Sequence, residues 1–169
     1  MKLEIFLLFL ILSPSVCVAN EYNFIGLHNT RTELQYNNSS VFLEPNQSAK
    51  VVCYDDVLKF LKNDSTENNK YVPDKYDCDG FASTLYNNAG KAGIKCKYVT
   101  VSYNNRSIGH AFNAFNTLDL GLIFVQSQGH DSFVNVSIGE EFVLHGIFNE
   151  SYSFVFMEPH VIKSVNIYS

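Results

Sequence analysis

The chain is short of positive charge. Its 169 residues hold 12 Lys and Arg against 17 Asp and Glu, a formal net charge of −5. No basic cluster offsets this balance, so nucleic acid, whose phosphates need a basic surface, is not an expected partner. Metal-site spacing is missing as well. There is no CxxC pair, and His28, His110, His130, His145 and His160 are scattered along the chain. Neither a metal nor another cofactor is expected on that pattern. Long apolar runs are also absent: the stretch from Ile5 to Leu12 falls far short of the ~20 residues a spanning helix needs. No repeat and no low-complexity linker interrupts the sequence.

What is present begins with an export signal. Lys2 supplies a positive start, the apolar run follows, Ser13-Pro14 breaks it, and Cys17-Val18-Ala19 offers small side chains for cleavage. Residues 1–19 are therefore expected to be a signal peptide, and the mature chain, starting near Asn20, to be secreted or held at the cell surface. A membrane anchor and a lipid-modified Cys17 are the alternatives. Cleavage leaves Cys53, Cys78 and Cys96. An odd number in an exported chain leaves at least one thiol unpaired within it. At 46% hydrophobic and 14% aromatic residues, the chain is too apolar for bulk disorder. The ~150 residues that remain can bury a core without disulfide staples.

Residues 20–47 are polar and mixed and read as an extended or loosely held N-terminal arm, ending in a turn at Glu44-Pro45-Asn46; a single domain is expected over 48–169. Asp55 to Lys62 has the pattern of a short amphipathic helix, with Asp55 as its cap and Val57, Leu58 and Leu61 facing inward. Residues 65–75 form a polar loop. A second helix is predicted just after Asp77, an N-cap residue type. Phe81, Ala82, Leu85 and Ala89 make its apolar stripe, and Gly90 with Gly93 closes it. Strands then dominate. They are expected at 97–103, turned by Asn104-Asn105, at 109–116 and 121–126 around Leu118-Asp119-Leu120, and at 133–136, 141–145, 152–156 and 161–168. Helices followed by a meander of strands define an α+β chain.

Cys78 falls in the first turn of the clearest helix. Amides there lack intrahelical partners and carry partial positive charge, a field that favours thiolate and can hold an oxyanion. A small buried hydrophobe is the plainer reading of a cysteine at that place. A thiol nucleophile needs a base, usually an imidazole held by a third group. His110 lies in a strand-like run between the small residues Gly109 and Ala111; a core histidine satisfied by backbone is the plainer reading here. His28 and His130 fall in the arm and in a turn and are expected to be solvated. A hairpin centred on Leu118 would pair His110 with Gln126, whose amide oxygen can accept the imidazole N–H. Asp119 belongs to the turn.

Four ordered blocks carry a resemblance. Tyr76-Asp77-Cys78-Asp79-Gly80-Phe81-Ala82-Ser83-Thr84-Leu85, Ala89 to Ile94, Gly109-His110-Ala111-Phe112-Asn113-Ala114-Phe115 and Asp119 to Val125 resemble the transglutaminase-like superfamily, closest to its small exported prokaryotic members. The resemblance implies a papain-like core in which a Cys-bearing helix packs on an antiparallel sheet. It implies Cys78 as nucleophile, His110 as base and Gln126 in the slot usually held by an acid. Two positions depart from the family: Gln126 replaces Asp or Glu, and Gly80 stands where an acid is common, with Asp79 beside it. By this likeness the chain is a thiol hydrolase or acyltransferase acting on peptide-like amides of a peptide or protein substrate. A catalytically degenerate binding or cell-surface module is the alternative. A third reading makes Cys78 structural, bonded to Cys53 or Cys96.

Overall fold

The computed structural model describes residues 22–27, 31–36, 39–148, 153–154 and 160–169. The signal segment expected at 1–19, His28 and the flanks of the strand expected at 152–156 lie outside them. The strands follow from alternation and β-branched or aromatic content: β1 (Asn23–Ile25), β2 (Thr32–Tyr36), β3 (Ser39–Leu43), β4 (Cys96–Tyr103), β5 (Arg106–Thr117), β6 (Gly121–Gln126), β7 (Ser132–Asn135), β8 (Val143–Gly146), β9 (Ser153–Phe154) and β10 (Ile162–Tyr168). Between β3 and β4 lie α1 (Tyr54–Asn63), a short 3-10 turn at Thr66–Asn68, and α2 (Cys78–Lys91). The chain is thus α+β, mostly sheet with two helices.

One eight-stranded sheet runs in the order β1-β10-β4-β5-β6-β7-β8-β9, and β2-β3 form a separate hairpin. From β4 to β9 the strands are an antiparallel meander, as expected. The last strand is different: β10 returns to pair with β4, and β1 adds to it in parallel. Both faces of the central strands are buried. On one, Tyr98, Ala111, Phe115 and Val125 meet Val57, Leu61, Leu85 and Ala89 of the helices. On the other, Val99, Val101, Phe112 and Phe124 gather with Phe142, Ile162 and Val165. Period-two alternation along β4 and β5 divides their side chains between these two cores.

Several expectations need correction. Of the two forms expected for residues 20–47, the extended one is seen and the loosely held one is not, in the part that is described. Their described part supplies three strands, and Val41 and Leu43 are buried in the helix-side core. Asp55 does not cap α1; Cys53 holds the N-cap position without a side-chain bond, and Asp55 falls in the first turn. The amide of Tyr54 instead donates to Asp119 Oδ1 at 2.9 Å, so the β5–β6 turn caps the helix from across the molecule. Gly90 lies inside α2, where Asn46 Nδ2 donates to its carbonyl at 2.7 Å. Gly93, at φ +75°, is the residue that needs glycine, because the chain leaves the helix in the left-handed region there.

Candidate active site

Asp77 caps α2 as expected. Its backbone is extended, and its carboxylate accepts the Asp79 amide at 3.2 Å. Cys78 is therefore the first helical residue, half-buried where the helix meets β5. Its sulfur accepts the Ala111 amide and the Asp79 amide. The thiol thus touches β5 one residue along from His110. His110 Nε2 lies 2.5 Å from Gln126 Oε1. An amide oxygen only accepts, so Nε2 carries the proton and Nδ1 keeps the lone pair a base requires. The ring rests against Phe112 and Phe142, with centroids 6.0 and 5.3 Å away.

Cys78 packs on the helix side of the sheet, whereas the His110 ring belongs to the opposite core. Both nevertheless line one open cavity of about 910 Å3, together with Gln126. All three residues singled out in the sequence are therefore brought to one place. Their register is not the expected one. Asn113 faces Val125 and Thr117 faces Gly121, which sets Gln126 across from Phe112 and one pair diagonal to His110. The bond is still made, because diagonal residues on one face of a sheet lie within reach of long side chains.

The electrostatics overturn another expectation. The helix-end amides are outweighed at the Cys78 thiol. Burial pushes it up to about 12, with Asp79 and then Asp77 adding to the rise and the amides of Ala111 and Asp79 opposing it. Burial also lowers the His110 imidazole, against the Gln126 bond that raises it. Both shifts favour the uncharged forms, a thiol at Cys78 and a neutral imidazole at His110.

Sequence reasoning missed four contributors. Asp79 is buried, with Oδ1 accepting the Tyr98 hydroxyl at 3.2 Å. Asp74, at φ +60°, stands in the Val72–Tyr76 turn on the cavity rim. Arg106 opens β5, and buried His160 meets it through Nε2. Only the φ of Asp74 had a local signal, since Asp is among the few residues that tolerate that region. His130 is exposed, as expected for a turn. Cys53, Cys78 and Cys96 are all free thiols. Asp77, Cys78 and Asp79 bring three ligand atoms within 4.8 Å of one another. The cap bond of Asp77 and the Tyr98 bond of Asp79 already engage two of them.

Compared with protein families, curated proteins and solved structures, the chain has no match. Among the described residues, no helix is long and apolar enough to cross a membrane.

Proposed function

We propose that this chain is an exported thiol enzyme of the transglutaminase-like, papain-like type, acting on peptide-like amides. The observation that supports it is the sharing of one cavity by the Cys78 thiol and a His110 ring whose Nε2 is bound to Gln126. In this reading Cys78 Sγ attacks the amide carbonyl while its proton passes to His110 Nδ1. First-turn amides of α2 other than that of Asp79, which the Asp77 cap engages, receive the oxyanion. The C–N bond then breaks, its electron pair goes to nitrogen, and the imidazolium returns the proton to the leaving amine. Water or a second amine attacks the thioester carbon, His110 takes the attacker's proton, and the thiol is regenerated. Gln126 holds the ring in the tautomer this cycle requires.

The test is labelling with a thiol-directed acyl probe, comparing wild type, Cys78→Ala and His110→Ala. Loss of label in the first variant and slowed label in the second are expected. Equal labelling of wild type and Cys78→Ala removes Cys78 as the reactive thiol. Export is tested by N-terminal sequencing of the mature chain, with cleavage before Asn20 as the expected result.

A second reading makes the domain a binding module that kept the arrangement without the chemistry. It rests on the neutral Gln126 in place of a carboxylate and on the thiol pushed up to about 12. Gln126→Glu separates the two. A steep rise from near-zero turnover favours the module, while measurable turnover before substitution favours the enzyme.

A further inference from the structure

Side chains of both signs line the cavity: Asp74 and Asp77 on the one hand, Arg106 on the other. Arg106 is exposed, and its guanidinium meets His160 Nε2. Arginine only donates, so His160 Nε2 is the acceptor. His160 is itself fixed: it is buried, and its ring lies edge-on to Tyr103 at 5.2 Å. The guanidinium is therefore met by a rigidly held imidazole. Among the described residues the one ion pair is Lys59–Asp56, so no carboxylate there neutralises Arg106.

Arg106 and His160 line the same cavity as Cys78, His110 and Gln126, so a substrate bound for attack by Cys78 lies in the compartment that holds the guanidinium.

We infer that Arg106, oriented by His160, receives a carboxylate carried by the peptide whose amide Cys78 attacks. The inference rests on the thiol-enzyme reading and names its substrate class: peptides that are acidic near the reacting amide. A planar guanidinium fork suits that anion better than an ammonium does, because it can bind both oxygens at once. The carboxylate can come from a free C-terminus or from an Asp or Glu side chain.

Calorimetric titration of the mature chain with blocked tripeptides tests it. One pair of peptides differs only in a free or amidated C-terminus, and a second, amidated pair carries Glu or Gln at the final position. At least one acidic form is expected to bind about tenfold more tightly than its neutral twin, and the pair that shows the difference identifies the source. In Arg106→Gln the preference should vanish while affinity for the neutral peptide stays; Arg106→Lys should retain part of it. Equal affinities within both pairs for the wild type, absence of binding, or a preference that survives Arg106→Gln each overturns the inference. Should Arg106→Gln fail to fold, the wild-type comparison decides alone. Repeating the titration with Cys78→Ala separates this result from the thiol chemistry. A carboxylate preference there stands even if Cys78 proves unreactive, and a reactive Cys78 without the preference leaves only the enzyme reading.

Discussion

The sulfur of Cys78 lies 3.9 Å from Oδ1 of Asp79, its neighbour in the chain, and that oxygen also accepts the Tyr98 hydroxyl at 3.2 Å. The other carboxylate oxygen, Oδ2, is buried without a hydrogen-bond partner. Burial, reinforced by Asp77, pushes the Asp79 carboxyl up to about 6. An incompletely satisfied buried carboxylate beside the Cys78 thiol works against both stability and thiolate formation.

Asp79→Asn keeps an acceptor for Tyr98 and removes the charge, so its effects on Cys78 and on stability can be read separately. Alkylation of Cys78 by iodoacetamide at pH 8 should quicken by about tenfold, the change in thiolate fraction for one unit of pKa. A rate unchanged or slowed rules out Asp79 as a cause of the raised thiol.

The stability effect has a definite sign with pH. A carboxyl whose folded pKa is raised binds protons more tightly when folded, so stability falls as pH rises from the unfolded value of 3.8 through about 6. The penalty is absent at lower pH and complete above that window. Asp79→Asn should therefore gain roughly 1–3 kcal/mol near neutrality, with the advantage disappearing below about pH 4. Urea denaturation across that range checks it, and a variant less stable than wild type at neutral pH defeats the argument.

Gly80 has a steric reason to lack a side chain. A β-carbon there would stand 2.8 Å from Cδ2 and 3.1 Å from Cγ of Tyr76. That ring cannot simply swing away. It lies against Phe81 at 4.8 Å, and its hydroxyl donates to Thr84 Oγ1 at 2.9 Å and accepts from Asn69 Nδ2 at 2.8 Å. Gly80→Ala should cost about 1–3 kcal/mol, as overpacked sites do. It should also disturb the Val72–Tyr76 turn at the cavity rim. Chemical denaturation gives the first effect and the Cys78 alkylation rate the second. A neutral substitution by both measures means the ring has room that the structure denies it.

The parts of the site that were legible in the sequence are those written in neighbouring residues. Asp77 as cap, Cys78 at the helix start and the alternation carrying His110 all depend on spacings of a few residues. The β5–β6 register was misjudged because the turn centres on Asp119, whereas Leu118 was taken as its middle. That moves the partner of Gln126 two places, from His110 to Phe112. The raised thiol was not legible because it depends on burial, which arises only when α2 meets the sheet. For the same reason the return of β10 to β4 and the meeting of Arg106 with His160, 54 positions apart in sequence, leave no local trace.

Leu43 gives the corresponding test for the N-terminal region. It is fully buried in the core beneath α2. The β3 end is tied to that helix by Asn87, whose Nδ2 donates to the Phe42 carbonyl at 3.0 Å and whose Oδ1 accepts the Glu44 amide at 2.9 Å. Leu43→Ala should cost about 2–5 kcal/mol, the range for buried leucine truncation. Phe42→Ala, at an exposed position of the same strand, should cost far less. Equal, small losses in both would restore the picture of a loose arm.

Asp119 offers the last test, because it links the β5–β6 turn to α1 through a helix end that has no cap of its own. Its carboxylate is held below the ordinary value chiefly by the Tyr54 amide, with some help from Thr117 and the amides of the turn. The turn is also tied to the helix entry by the Leu118 amide, which donates to the Val52 carbonyl at 3.0 Å. A depressed carboxyl stabilises the fold above its unfolded pKa, and the contribution is lost as pH falls through the folded value. Asp119→Ala should therefore lower the thermal midpoint at neutral pH. The gap to wild type should narrow on acidification, and Asp119→Asn, which keeps an acceptor oxygen, should fall between the two. Amide exchange adds the local signature: the Tyr54 N–H should lose protection in the Ala variant. If that amide stays protected, the bond to Asp119 is not what closes the start of α1.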